Sequence, residues 1–355
     1  MPLKSKMTCA LAGTCLVISL FAPSASAYRN RQDDKGKSAK KQDDKGKSPK
    51  KQDGDKAKKG DSASAKDAHP ILWQEPADIE SRDLFYGPGG RDAAPDPSDK
   101  FTFVRRSSSG TSEKIIVDDG KGRSWTVKFG AEARPETAAS RIVWAVGYHV
   151  DQDYFVKRTH IEGRGGFDVW DVRFERRDDG FKEIGLWLWN SSPFNGTREL
   201  EGLKVLMALL NNWDLKDVNN KIVQPNKSSG GDRSERVFYV ADLGATLGST
   251  GSFFQKLPFF GSAPAGSKGI PDSYSRQVFI DSVSGGRVHF HYEGKNPKVL
   301  EGITVENARW MGNLLGRLSD KQLSDAFRAG GFSDNETATY VHAARGRIDQ
   351  LRALK

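Results

Sequence analysis

Trp213-Asp214-Leu215-Lys216-Asp217-Val218-Asn219-Asn220 is the stretch whose reading decides the fold. It offers a carboxylate at 214, an ammonium at 216 and an amide at 219. A helical run leads into it. Arg198 to Asn211 carries Leu203, Val205, Leu206, Leu209 and Leu210, spaced to bury one helix face. A strand-like run ending Phe238-Tyr239-Val240 follows, and Asp242-Leu243-Gly244 stands just beyond it. Taken singly, each residue has a plain reading. Asp214 to Asp217 reads as a polar helix cap and Asp242 as a turn residue. Their order on a helix, loop and strand favours a joint reading.

Upstream, three strands are expected at Phe101 to Val104, Lys114 to Val117 and Trp125 to Phe129. Asp118 to Gly122 turns between the last two. Between the first two lies Ser107-Ser108-Ser109-Gly110-Thr111-Ser112, small and polar enough for backbone N–H groups to approach a phosphate. Lys128 falls at the end of the third strand, where a lysine singly reads as solvent-exposed. Pro135 to Val146 has helical composition, with Gly147 at its end. Tyr154 to Val156 reads as a strand. Asp168 to Arg176 and Phe181 to Trp189 read as a hairpin through Asp178-Asp179-Gly180.

Further on, the chain turns helical. Arg287 to Tyr292 reads as a strand, and helices are expected at about 305–318, 320–329 and 334–353. Ser319 with Gln322 and Ser333 with Glu336 have capping-box spacing. Strands first and helices later predict an α+β fold.

Phosphoryl transfer asks little of a protein. It needs a cation on the non-transferring phosphates, oxygen ligands for magnesium and a carboxylate to orient the acceptor hydroxyl. Lys128, Asp214, Lys216, Asn219 and Asp242 supply these groups in order. On these motifs the chain resembles the protein-kinase-like superfamily, whose usual catalytic loop is His-Arg-Asp-Leu-Lys-Pro-Glu-Asn and whose magnesium loop is Asp-Phe-Gly. The Ser/Gly loop resembles that of the phosphatidylinositol 3-/4-kinase-like and secreted atypical branches.

The resemblance spans roughly residues 101–250. It implies a two-lobed fold, with a β-rich N-lobe over 101–190 and a mainly helical C-lobe over 191–355. It implies ATP as co-substrate with Mg2+ or Mn2+. Carried over residue by residue, Lys128 holds the α/β-phosphates, and Ser109, Gly110 and Thr111 cover the nucleotide. Asp214 is the catalytic carboxylate, and Lys216 neutralises the transferring group. Asn219 and Asp242 hold the metal. Glu136 pairs with Lys128, with Glu132 as the rival partner because only eight residues separate 128 from 136. Trp213 stands where the family has Arg, and no Ala-Pro-Glu follows Asp242.

The N-terminal part reads differently. Lys4 and Lys6, the apolar run from Met7 to Phe21 and Ala25-Ser26-Ala27 form a secretory signal over residues 1–27. Both cysteines, Cys9 and Cys15, lie inside it, so the mature chain would have no disulfide and no thiol chemistry. Residues 28–68 repeat Gln-Asp-Asp-Lys-Gly-Lys-Ser from Gln32 and again from Gln42, with almost nothing apolar to bury, and read as a disordered tether. They carry 14 basic and 8 acidic side chains. Of the formal +9, the segment 69–355 keeps only +1, which speaks against nucleic acid as partner. The tether reads first as a spacer and second as a basic arm touching anionic envelope polymers. Residues 69–100 read as an extension packed on the domain.

An exported, periplasmic or extracellular, kinase-like phosphotransferase is therefore expected, acting on a protein, lipid or small molecule. The alternative is a catalytically inactive pseudokinase-like envelope binding module. No transmembrane span is expected in the mature chain. His289 and His291, with Asp281 near in sequence, are a weaker metal candidate. Trp144, Trp187, Trp189 and Trp310 read as core.

Overall fold

The computed structural model describes residues 68–107, 112–177, 180–226, 230–251 and 266–355. Ser109, Gly110 and Thr111, the signal, the tether up to residue 67, and the apolar Phe253, Phe254, Phe259 and Phe260 of the Gly/Ser-rich stretch after Asp242 lie outside the described residues. The described fold mixes sheets and helices.

A short strand, β1 (His69–Ile71), opens it and a one-turn helix, α1 (Gly90–Ala93), follows a 3-10 turn at Gly87–Gly89. Strands β2 (Phe101–Ser107), β3 (Lys114–Asp119), β4 (Ser124–Lys128), β5 (Asp153–Glu162) and β6 (Phe167–Arg176) close into a barrel in the order β2-β3-β4-β6-β5. Helix α2 (Ala133–Ala145) links β4 to β5. Side-chain alternation sorts each strand. Ile115, Val117, Trp125, Val127, Val172 and Phe174 fill the barrel. Thr126 and Lys128 therefore fall on the opposite face of β4.

The hairpin expected between β6 and the next strand does not form. Both edges of β6 are already taken, since Arg173 pairs with Lys128 on one side and Phe155 on the other. Strand β7 (Phe181–Gly185) joins a second sheet instead. Helix α3 (Arg198–Leu209) follows, then β8 (Asn220–Pro225) and β9 (Glu235–Val240), and the sheet runs β1-β9-β8-β7. Lys182 lies opposite Gln224 there. Helix α4 (Pro271–Arg276) and the hairpin of β10 (Ile280–Ser284) with β11 (Arg287–Phe290) precede helices α5 (Val305–Gly316), α6 (Asp320–Ala329) and α7 (Asp334–Arg352). Both capping boxes are formed, at Ser319/Gln322 and Ser333/Glu336.

The extension before the barrel is stitched on by polar contacts. The Gln322 amide donates to Ile79 O, and Arg82 donates to Trp144 O. Trp187 and Trp189 are buried in the large core, and Trp144 and Trp310 pack against it. His291 pairs with Asp281, and His289 with Ser284. Among the described residues no cluster of three potential metal ligands includes them.

Helix α7 is a strut beneath the loop at 211–219. The buried Arg347 guanidinium donates to Leu209 O (2.6 Å), Asn211 Oδ1 (2.9 Å) and Tyr274 O (2.8 Å), and lies 3.9 Å above the Tyr274 ring. The Tyr340 hydroxyl donates to Leu247 O at 2.8 Å. Replacing Arg347 by Met strands Asn211 Oδ1 and Tyr274 O without these donors. Urea unfolding of Arg347→Met should show a loss of about 3 kcal/mol.

His149 adds an acid sensitivity. Its ring stacks on Tyr239 at 6.0 Å, and its buried Nε2 has no hydrogen-bond partner among the described residues. Burial, helped by the nearby Arg82 charge, depresses its pKa to about 4. The folded state then refuses a proton that the unfolded chain accepts. The contribution is whole above pH 6.5 and is lost as pH falls towards 4, roughly 3 kcal/mol. His149→Phe should flatten the stability profile across that window in unfolding measured against pH.

Candidate active site

Strand register aligns Lys114, Lys128 and Arg173 across β3, β4 and β6. Like charges placed side by side repel, so this row needs anions, and α2 supplies two. Glu132 and Glu136 are four residues apart at its start and share one helix face. Pro135 sits between them in the first turn, where its missing N–H costs nothing. The Lys128 ammonium lies 2.6 Å from Glu132, 2.9 Å from Glu136 and 2.9 Å from Asp242. The choice between Glu132 and Glu136 resolves as both. Arg173 takes the other Glu136 oxygen at 2.7 Å and also bonds Glu175. Lys268 pairs with Glu132 from the far side.

Asp242 has φ +51°, a left-handed conformation that Asp tolerates better than most residues. Two residues on, a Cβ at Gly244 would come within 2.5 Å of Glu132 Cβ. Only glycine lets the Asp242 turn lie this close to α2.

The floor of the site is the loop after α3. Asp214 N–H donates to Asn212 Oδ1 (3.1 Å), and the Asn219 amide donates to Asp214 O (2.8 Å). The Asp214 carboxylate meets Lys216 at 2.9 Å on one oxygen and Lys295 at 3.0 Å on the other. Trp213 is buried, with its indole N–H on Ser267 O and the Lys268 and Lys295 ammoniums 5.3 and 5.5 Å from its ring centroid. Lys128, Glu132, Glu136, Asp214, Lys216, Asn219 and Asp242 line one cleft of about 490 Å³, together with Lys114, Arg173, Leu186 and Val218.

Electrostatics follow from these contacts. Burial works against the Lys128 charge, but Glu136, Asp242 and Glu132 outweigh it and its pKa is raised. Complete burial lifts Glu136 to about 7 against the pull of Arg173 and Lys128. Burial also opposes ionisation of Glu132, yet Lys128 and Lys268 bring it down to about 2. Asp214 is held below the usual carboxylate range, since its bonds to Lys216 and Lys295 outweigh its burial. It is an ionised hydrogen-bond acceptor at neutral pH.

Asp242 and Asn219 offer only oxygen ligands to a cation, the donor type that Mg2+ and Mn2+ prefer. The Asn219 nitrogen is committed to Asp214 O, which leaves its carbonyl oxygen for that purpose. Asp242 keeps a side chain 45% exposed to the cleft side. The donor set fits a hard divalent ion.

Three contributors escaped the sequence reading: Arg173, Lys268 and Lys295. Arg173 is mid-strand, and strand register alone reveals it. Lys268 and Lys295 belong to loops far along the chain from the carboxylates they touch.

No protein-family model matches the chain, and no curated protein matches it. Among solved structures, the crystal structure of a Helicobacter pylori proinflammatory kinase, CtkA, is similar at 12% identity and a TM-score of 0.38, over 72% of this chain and 94% of that one. A likeness that loose leaves the functional case to the cleft itself.

Proposed function

We propose that the cleft binds a nucleotide such as ATP with Mg2+ or Mn2+ and passes its terminal phosphoryl group to an acceptor hydroxyl, within a two-lobed kinase-like architecture. The observation that carries this reading is the 2.9 Å approach of Lys128 to Asp242, above a floor formed by Asp214, Lys216 and Asn219 in the same cleft. Its volume of about 490 Å³ suits a nucleotide.

In this reading Lys128 leaves its carboxylates in part to meet the α/β-phosphates, with Glu136 keeping it in place. Asp242 and Asn219 would hold the metal, which neutralises phosphate charge when bound. The acceptor oxygen forms a bond to the γ-phosphorus. The bond from that phosphorus to its bridging oxygen breaks, and the electron pair leaves with the nucleoside diphosphate. Asp214 orients the hydroxyl and takes its proton, and Lys216 offsets charge on the transferring group. Export through residues 1–27 and the 28–68 tether belong to the same proposal, and an exported enzyme then requires nucleotide supplied locally.

A second reading is a non-catalytic binding module of the same fold. The lysine on each Asp214 oxygen favours it. Calorimetry with Mg-ATP on the purified chain tests the first reading. Saturable binding is expected in the micromolar to low-millimolar range usual for enzyme substrates, roughly 1 μM to 1 mM. Absence of binding would overturn it.

A further inference from the structure

Lys295 is held against the Asp214 loop by its backbone. Its N–H donates to Trp213 O at 2.8 Å, and it forms a parallel bridge with Asp214. The Tyr292 hydroxyl donates to its carbonyl at 2.8 Å, and the next residue, Asn296, donates to Leu215 O at 3.1 Å. A Cβ at Gly294 would sit 2.6 Å from Trp213 O. From this anchored backbone the stem carries the ammonium to 3.0 Å from Asp214 Oδ1.

Lys216 and Lys295 have equal exposure but different positions. Lys216 lines the cleft and feels Asp242, whereas Lys295 is not among the lining residues and reaches Asp214 from the other side. A lysine pair this exposed adds little stability, and Asp214 already has Lys216.

The arrangement constrains the acceptor. Oδ1 is buried and accepts no hydrogen bond among the described residues, so Lys295 stands against it as a bare charge at 3.0 Å, and a hydroxyl that bonds Oδ1 must move that ammonium aside. A neutral acceptor returns that ammonium to solvent and offers it no new anion. An anion beside the hydroxyl gives it a new partner, and the same movement frees Oδ1. We propose that Lys295 is a specificity-determining residue that recognises a phosphate or carboxylate group next to the acceptor hydroxyl. This rests on the phosphotransfer reading for the hydroxyl, while the anion site can be tested without turnover.

The experiment is residue-resolved NMR of the full chain, titrated with inorganic phosphate and separately with malonate, at ionic strength matched with chloride. Amides of residues 294–296 should shift saturably with one anion or both, and the tighter of the two names the class. Lys295→Met should weaken that binding by about tenfold or more, while Lys295→Arg keeps it within a few-fold. Lys321→Met, exposed on α6 and away from the cleft, should leave it unchanged. No saturable shift at 294–296 in the wild type, or equal shifts in Lys295→Met, would overturn the proposal. The wild-type arm decides alone should Lys295→Met fail to fold. Loss of Mg-ATP binding would sink phosphotransfer and leave this titration to judge Lys295.

Discussion

Lys128→Met should lower catalytic efficiency with Mg-ATP by about two to three orders of magnitude, the scale of removing one preorganised electrostatic contact from a reaction centre. It should also destabilise the chain. The ammonium sits where carboxylate oxygens of Glu132, Glu136 and Asp242 lie within 4.8 Å of one another. Removing it takes the shared cation from Glu132, Glu136 and Asp242, leaves Arg173 on Glu136 and Lys268 on Glu132, and drives the already raised Glu136 further towards its protonated form. Taking one partner from a buried ionic cluster costs roughly 3–5 kcal/mol. Steady-state kinetics and urea unfolding on one preparation report both effects. Lys128→Arg should not rescue either, because a planar fork cannot replace a compact ammonium held among three carboxylates at a site only 2% exposed. A variant that retains both stability and turnover would remove Lys128 from the reaction.

Asp214→Asn should separate binding from chemistry. The substitution keeps the shape of the side chain and removes the proton acceptor. Turnover should fall by about 10²–10⁴-fold, the usual contribution of a positioned acid–base group. Affinity for Mg-ATP, read by calorimetry, should hold within about twofold, a difference well under 1 kcal/mol. The side chain loses two lysine pairs that are themselves partly exposed, so stability should change little. A wild type that binds Mg-ATP without turnover, and an Asp214→Asn variant with unchanged biological effect, would together favour the binding module.

Much of the architecture was legible because local chemistry specifies it. The two Ser caps with Gln322 and Glu336 announce α6 and α7 almost to the residue, since a capping box is a short-range device. Alternation in Trp125-Thr126-Val127-Lys128 is enough by itself to put Lys128 opposite the barrel core. The pairing of β7 was not legible. A turn-like Asp-Asp-Gly suggests a hairpin with β6, and only the pairing of β6 with β4 and β5 forbids it. Nor does spacing decide between Glu132 and Glu136, because one ammonium has donors enough for both. Lys295 was invisible for a similar reason. Nothing in its neighbourhood marks it, and its contact with the loop spans some eighty residues, as the 81-residue separation of Asn296 from Leu215 shows.

The Arg347 strut has a consequence for the timing of folding. Its bonds to Leu209 and Asn211 join positions 138 and 136 residues apart, and they come from α7. Chain emerging during synthesis can close the barrel from residues already made, since β2 to β6 fall within residues 101–176. The Asp214 loop cannot acquire its support until α7 has been synthesised. The half of the cleft that carries Lys128 can thus be set before the half that carries Asp214, which waits for α7.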